Sequence, residues 1–185
     1  MTVFDYHTHN PLVTPGEAIV NLSQHLLLHP EEFQPQDKAL YSVGVHPWWT
    51  EGDADLLLQN TAKLAHHPQI VAIGECGLDA LRGAEMSRQI EILRRQLEMA
   101  ERVEKPVTLH IVRAWQQIVK LRREIQPCQR WVIHGFRGKP TLARQLLDAG
   151  FDLSFGTRYN AESYNLTPED RKHHETDAES PYFLP

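Results

Sequence analysis

The feature that most constrains this chain is an alternation. Between residues 39 and 155, short apolar runs take turns with longer amphipathic ones. Ala39–Val45, Ile70–Ile73, Val107–His110, Trp131–His134 and Phe151–Phe155 read as strands. Stretches 53–66, 85–103, 114–125 and 140–150 read as helices between them. The clearest helix is 85–103, where Met86, Ile90, Leu93, Leu97 and Ala100 recur at spacings of four and three. Pro140 suits the first turn of its helix and Gly150 the end. Strand, helix, strand in succession implies a parallel sheet with helical crossovers. Val3–Tyr6 and Ala18–Leu22 read as two earlier strands, and the chain turns polar after Tyr159.

The second pattern is where the histidines fall. There are 11, and predicted strands repeatedly end in a possible ligand: His7 and His9, His46, Glu75, His110, His134. In βα architectures the active site gathers at the carboxyl ends of the strands. His7 and His9 stand two apart, so on an extended chain both imidazoles project from one face and can chelate one metal such as zinc, manganese or iron. Two surface histidines beside a turn is the plainer alternative. Glu75 reads as lying straight after the apolar strand Val71–Ile73, where an unpaired buried carboxylate is unfavourable. A metal would resolve that; a solvated loop carboxylate is the alternative. Alone, His110 or His134 reads as a core histidine bonded to backbone; their matching places one βα unit apart favour a shared centre. The indoles of Trp48 and Trp49 offer stacking surfaces for a base or simply cap a rim.

Charge and cysteine content narrow the classes. The net charge of −5 excludes a polybasic nucleic-acid binder. Between Arg113 and Arg144, however, eight Lys or Arg face the single acid Glu124. Lys120, Arg122 and Arg123 read as a solvated helix face, whereas Arg113, Arg137 and Lys139 fall in loops after strands and are better substrate contacts. Two cysteines make no disulfide scaffold and suit a reduced compartment. With no signal-like start and no membrane-spanning run, a cytoplasmic protein without membrane contact is expected.

Taken in order, Asp5-Tyr6-His7-Thr8-His9, Gly44-Val45-His46-Pro47, Gly74-Glu75-Cys76-Gly77-Leu78-Asp79, Leu109-His110-Ile111-Val112-Arg113, Ile133-His134-Gly135, Leu153-Ser154-Phe155-Gly156 and Glu175-Thr176-Asp177 resemble the TatD-family metal-dependent hydrolases, in particular a compact subgroup. The resemblance implies an amidohydrolase-like TIM barrel, α/β in class, built as one domain over 1–185. It implies two divalent ions (Zn, Mg or Mn). His7 and His9 would hold one and Glu75 would bridge to a second on His110 and His134. Asp177 would complete the first ion's shell and act as general base. His46 and Arg113 would face a substrate phosphate. DNA or another phosphodiester is the implied substrate, cleaved as by a 3′-to-5′ exonuclease. A small ester, lactone or amide is the second expectation, and a non-catalytic barrel binding metal or a partner the third.

At 185 residues the chain is short for a complete eight-fold barrel, which usually takes about 250. Arg171-Lys172-His173-His174 stands where the family's last strand carries apolar residues, and it reads as a poor buried strand. The expectation is therefore a shortened barrel with its last strand unassigned and its final helix missing. An apolar seam would then be covered by a second copy, as a homo-oligomer, or by Tyr182-Phe183-Leu184.

Overall fold

The computed structural model describes residues 4–179. Eight parallel strands close into a barrel in sequence order: β1 (Asp5–Thr8), β2 (Ala18–Asn21), β3 (Leu40–Val43), β4 (Ile70–Asp79), β5 (Val107–Val112), β6 (Trp131–Ile133), β7 (Asp152–Phe155) and β8 (Lys172–His174). The crossovers carry α1 (Gln24–Leu28), α2 (Ala54–Leu64), α3 (Met86–Val103), α4 (Trp115–Ile125), α5 (Pro140–Asp148) and α6 (Ala161–Leu166). No described helix is long and apolar enough to cross a membrane.

The core has two parts. The larger lies between the outer strand faces and the helices, around Ile73, Leu93, Leu97, Leu109, Ile118 and Phe151. The smaller fills the barrel itself, where Tyr6, Ile19 and Val132 pack with Leu40 and Val71. These five come from five strands, so they can meet only inside the barrel.

The remaining strands complete that interior with polar groups. Thr108 of β5 is fully buried, and burial holds the Tyr6 phenol far above the usual range. Asp152 of β7 is 4% exposed. It is met by Arg130 Nη1 at 3.0 Å, Arg171 Nε at 3.2 Å and His173 Nε2 at 3.2 Å. The His173 ring lies 4.4 Å from that of Tyr6.

This arrangement corrects the reading of 171–174 as a poor strand. β8 forms because each of its polar side chains has a specific partner. His173 points inward to Asp152 and Tyr6. Lys172 and His174 point outward onto Tyr164, with Lys172 Nζ 4.4 Å from the ring centroid and His174 at 5.6 Å between ring centroids. β8 pairs with β7 over three residues but with β1 only at Asp5–His174. Past that point Asp5 closes the seam. Its carboxylate accepts from the Thr176 N–H at 3.0 Å and the Thr176 hydroxyl at 2.6 Å.

No helix follows β8 among the described residues, and where β8 meets β1 the Asp5–Thr176 contact is polar. Phe4, 41% exposed, directly precedes β1. Tyr182-Phe183-Leu184 lie outside the described residues.

On α3, Arg95 pairs with Asp55 of α2, while Glu91 takes Arg88 at 2.9 Å. One helical detail differs from expectation. Arg122 is not on a solvated face: its guanidinium lies 5.1 Å from the Phe151 ring centroid, and its Nε donates to the Ala149 carbonyl at 2.9 Å.

Candidate metal centre

β4 is the element that makes the site. It runs past Ile73 to Asp79, so Glu75 lies within the strand rather than after it. Gly74 and Gly77 allow this. Both have positive φ, at 145° and 153°. A Cβ on Gly74 would fall 2.5 Å from the Thr108 carbonyl oxygen, and one on Gly77 would fall 1.9 Å from that of His110. Only glycine lets β4 approach β5 this closely. The backbone is fixed by Asn21, whose Oδ1 accepts from the Glu75 N–H at 2.6 Å and from the Ser42 hydroxyl at 3.0 Å.

Five imidazoles converge on the Glu75 carboxylate, which is 3% exposed. Its two oxygens divide them. Oε2 faces His7 Nε2 at 3.3 Å and His9 Nε2 at 3.2 Å. Oε1 faces His46 Nε2 at 3.1 Å, His110 Nδ1 at 2.8 Å and His134 Nε2 at 2.9 Å. Asp177 joins the first set, its Oδ1 lying 3.8 Å from both His7 Nε2 and His9 Nε2. It arrives by backbone pairing, as the Asp177 N–H donates to the His7 carbonyl at 3.0 Å and the His9 N–H to the Ala178 carbonyl at 2.9 Å. The expected ligand residues are thus brought together from β1, β4, β5, β6 and the segment after β8.

Residues outside this ring set the proton positions. His110 Nε2 lies 3.3 Å from Asp79 Oδ2, and His134 Nδ1 lies 3.3 Å from Glu175 Oε1. Each of these imidazoles can donate its outer N–H to a second carboxylate and keep a lone pair on the inner nitrogen. This is how metal-binding histidines are oriented. Glu175 is itself held by the Gly135 N–H at 2.7 Å, and Asp79 by the Trp48 indole N–H at 2.7 Å. His46 is arranged the other way. Its Nδ1 accepts from the Trp48 backbone N–H at 3.2 Å, which leaves the proton on Nε2 to be donated to Glu75. Burial lowers the pKa of His46 against the opposing pull of Glu75, so the ring is neutral. Asp79 and Glu175 were not singled out in sequence, although both stand in quoted motifs, two carboxylates close to the ligands Glu75 and Asp177. Substituting Glu175→Gln is expected to lower metal affinity by roughly 10–100-fold, measured by competition with a chelating dye.

The electrostatics of the metal-free centre are those of a tight ion cluster. Burial pushes Glu75 towards its neutral form, but His134, His110 and His46 outweigh it and hold the carboxylate well below the usual range. Burial likewise pushes His134 towards neutrality, and Glu75 and Glu175 override it, holding the imidazole well above its ordinary value. His9 is raised for the same reason, with Glu75 and Asp177 overcoming burial.

The donor set fits a metal. His7 is fully buried, yet neither of its ring nitrogens has a hydrogen-bond partner among the described residues. A buried imidazole left so is unfavourable unless something else takes its lone pair. Nitrogen and carboxylate donors in this number suit zinc or manganese. Arg113 follows β5 with left-handed backbone (φ 52°) and is exposed, with no ion pair among the described residues.

Known proteins resemble this chain. The family model described as "TatD related DNase" matches residues 20–185. The chain is 32% identical over 149 residues to the uncharacterized metal-dependent hydrolase YjjV of Escherichia coli, covering 78% of this chain and 56% of that protein. It is 32% identical over 154 residues to the 3′-5′ ssDNA/RNA exonuclease TatD of Musicola paradisiaca, covering 78% and 58%. The chain therefore spans a little over half the length of these relatives. The crystal structure of Escherichia coli YjjV superposes with a TM-score of 0.77 over 95% of this chain and 79% of that one. At 22% identity that likeness speaks for the fold. The closed barrel, the ordered motifs and the family match together identify the chain as a member of the TatD-related DNase family.

Proposed function

We propose that this chain is a two-cation phosphodiesterase that removes nucleotides from the 3′ end of single-stranded nucleic acid. The observation that carries the reading is the division of donors by Glu75, with His7, His9 and Asp177 on one oxygen and His110 and His134 on the other. That is the arrangement a bridging carboxylate needs. The printed activity of the Musicola relative, an exonuclease on ssDNA and RNA, supports the substrate class. Zinc and manganese suit these donors best, and magnesium can use the carboxylates Glu75 and Asp177. Free thiols at Cys76 and Cys128 support a reducing, cytoplasmic setting.

Bound at these residues, two divalent cations supply Lewis-acid chemistry that acidifies water near neutral pH and offsets charge on a phosphodiester. The side chains do the rest. Asp177, with its carboxylate 36% exposed, faces the open side of the centre and takes the proton of the attacking water. The Nε2–H of His46 is the neutral donor nearest the second set, and it turns from Glu75 to a phosphate oxygen. Arg113, at the rim, pairs with the same phosphate. Asp79 and Glu175 keep His110 and His134 in one tautomer throughout.

The third expectation, a non-catalytic barrel, drew on the polar 171–174 segment and the missing final helix. The polar segment forms β8 and leads directly into Glu175 and Asp177 at the centre, which supports the catalytic reading over it. No homo-oligomer is part of the proposal.

The test is release of mononucleotides from single-stranded DNA by protein loaded with manganese, magnesium or zinc. Release that stops with chelator is the expected result; no release with any of the three contradicts the proposal. Arg113→Ala separates the phosphodiester from the ester reading. It is expected to lower phosphodiester cleavage by roughly 10²-fold and hydrolysis of a neutral ester by less than about 5-fold, because only the former places charge on the guanidinium.

A further inference from the structure

Trp48 stands in an unusual position for a large aromatic residue. It belongs to the 3₁₀ turn Pro47–Trp49 after β3, and it is 45% exposed. Its indole is nevertheless fixed. The Nε1–H donates to Asp79 Oδ2 at 2.7 Å, and the backbone N–H donates to His46 Nδ1 at 3.2 Å. The ring centroid lies 4.8 Å from that of His46 and 5.9 Å from that of His110, with the ring planes near perpendicular at 81° and 79°. The polar edge of the indole is thus turned towards Asp79 and the centre.

One face is covered by Arg82, whose guanidinium carbon lies 4.4 Å from the ring centroid. That contact is the only fixed one the guanidinium makes among the described residues, where it has no carboxylate partner. The Arg82 backbone is held separately, because its carbonyl accepts from Gln89 Nε2 at 2.9 Å. A cavity of about 360 Å³ lies alongside, bounded by Asp79, Leu81, Arg82, Met86 and Gln117. The side chain can therefore leave the indole without disturbing the loop.

We infer that Trp48 is the seat of the nucleobase of the terminal nucleotide, which displaces Arg82 from the indole face. The freed guanidinium then follows the phosphate backbone. This rests on the phosphodiesterase reading and adds a specificity element to it. A π-face accepts any base, so the seat selects for strandedness rather than sequence. A base at a duplex end is already stacked and paired, whereas one at a single-stranded end is free to move onto the indole.

The test is binding of a released nucleotide, so that it does not depend on turnover. Calorimetry on the manganese-loaded protein gives Kd for 2′-deoxyadenosine 5′-monophosphate and for 2-deoxyribose 5-phosphate, which lacks the base. Trp48→Ala is expected to weaken the nucleotide by roughly 5- to 100-fold and the base-free sugar phosphate by less than about 2-fold. Trp48→Phe keeps a π-face but loses the bond to Asp79, and is expected to stay within about 3-fold of the unsubstituted protein. Equal weakening of both ligands, or a Phe variant as weak as the Ala variant, would mean that Trp48 acts through Asp79, and would overturn the inference. So would no change, or no binding of the nucleotide at all. Cleavage of single-stranded DNA, assayed separately, reads the parent proposal. Cleavage without the Trp48 pattern leaves the phosphodiesterase and removes the seat. The Trp48 pattern without cleavage leaves a nucleotide site and removes the phosphodiesterase.

Discussion

Glu75→Gln is expected to remove turnover, by on the order of 10³-fold or more, while the barrel still folds. The amide fills the same volume and can still accept a hydrogen bond. It can no longer present two anionic oxygens to the two sets of imidazoles. The effect on stability differs with pH and gives the substitution a second signature. In the metal-free protein Glu75 is held below its ordinary pKa, so its contribution is complete above about 4.5 and is lost as pH falls through the lowered value. His134 is held above its ordinary pKa, so its contribution is complete below about 6.5 and is lost as pH rises through the raised value. The metal-free protein should therefore melt highest across the interval between these limits, with a decline on either side. Glu75→Gln should flatten that profile. Melting curves from pH 4 to 9, with and without chelator, check both points. A profile unchanged by the substitution would mean that the carboxylate and imidazoles do not act on one another.

The second large effect is expected far from the chemistry. Asp152→Ala removes the one carboxylate that holds Arg130, Arg171 and His173 at the amino-terminal end of the barrel. Removing one partner of a fully buried pair costs about 3–5 kcal/mol. Arg130 reaches solvent here, so about 2–4 kcal/mol is the better expectation, a fall in Tm of roughly 5–15 °C for a chain of this size. The consequence should extend to the metal centre. His173 is the inward residue of β8, and β8 delivers Glu175 and Asp177. Metal affinity should fall together with Tm, although Asp152 touches no ligand. A variant that loses stability but binds metal as before would show that β8 is held by its outer contacts with Tyr164 alone.

β8 also marks the limit of what the sequence discloses. The strands with apolar cores were legible because burial leaves its mark in Val, Ile and Leu; Ile70–Ile73 and Trp131–Ile133 are of this kind. The histidines at their carboxyl ends were legible for the same reason, since the strand supplies the frame that gives each His a place. Lys172–His174 carries no such mark. Its strand conformation depends on Asp152, Tyr6 and Tyr164, which are distant in sequence, so no local window contains the cause.

The short helices α1 and α6 were missed because five or six residues form too little helix to show a period. Their visible signals were the caps, Ser23 and Asn160, whose side chains accept from Leu26 and Ser163. The extent of β4 was hidden by Gly74 and Gly77, which resemble turn residues until the approach of β5 is known.

Of the expected α3 stripe, Leu93, Leu97 and Ala100 are buried and Met86 and Ile90 half-buried, but buried Ile92 and Met99 and the helix's polar contribution were missed. Gln96 clamps both backbone groups of Val45, at 2.6 and 3.1 Å, and thereby places the loop bearing His46. Gln89 does the same for Asp79, at 2.8 and 2.9 Å. Sequence periodicity groups such residues with the solvent face. Their burial is explained only by the unpaired loop groups they satisfy. Among the site residues, Asp79 and Glu175 were missed on similar grounds, because a carboxylate that orients a ligand has no spacing rule of its own.

The central claim is that Glu75 joins two cation sites. It is tested most directly by titrating the metal-free protein with manganese and recording electron paramagnetic resonance. Two manganese ions bridged by one carboxylate couple magnetically. The expected result is uptake of two ions per chain, with a coupled multiline spectrum near saturation that Glu75→Gln abolishes. A saturating spectrum of isolated six-line manganese, or uptake that ignores the substitution, would contradict the account.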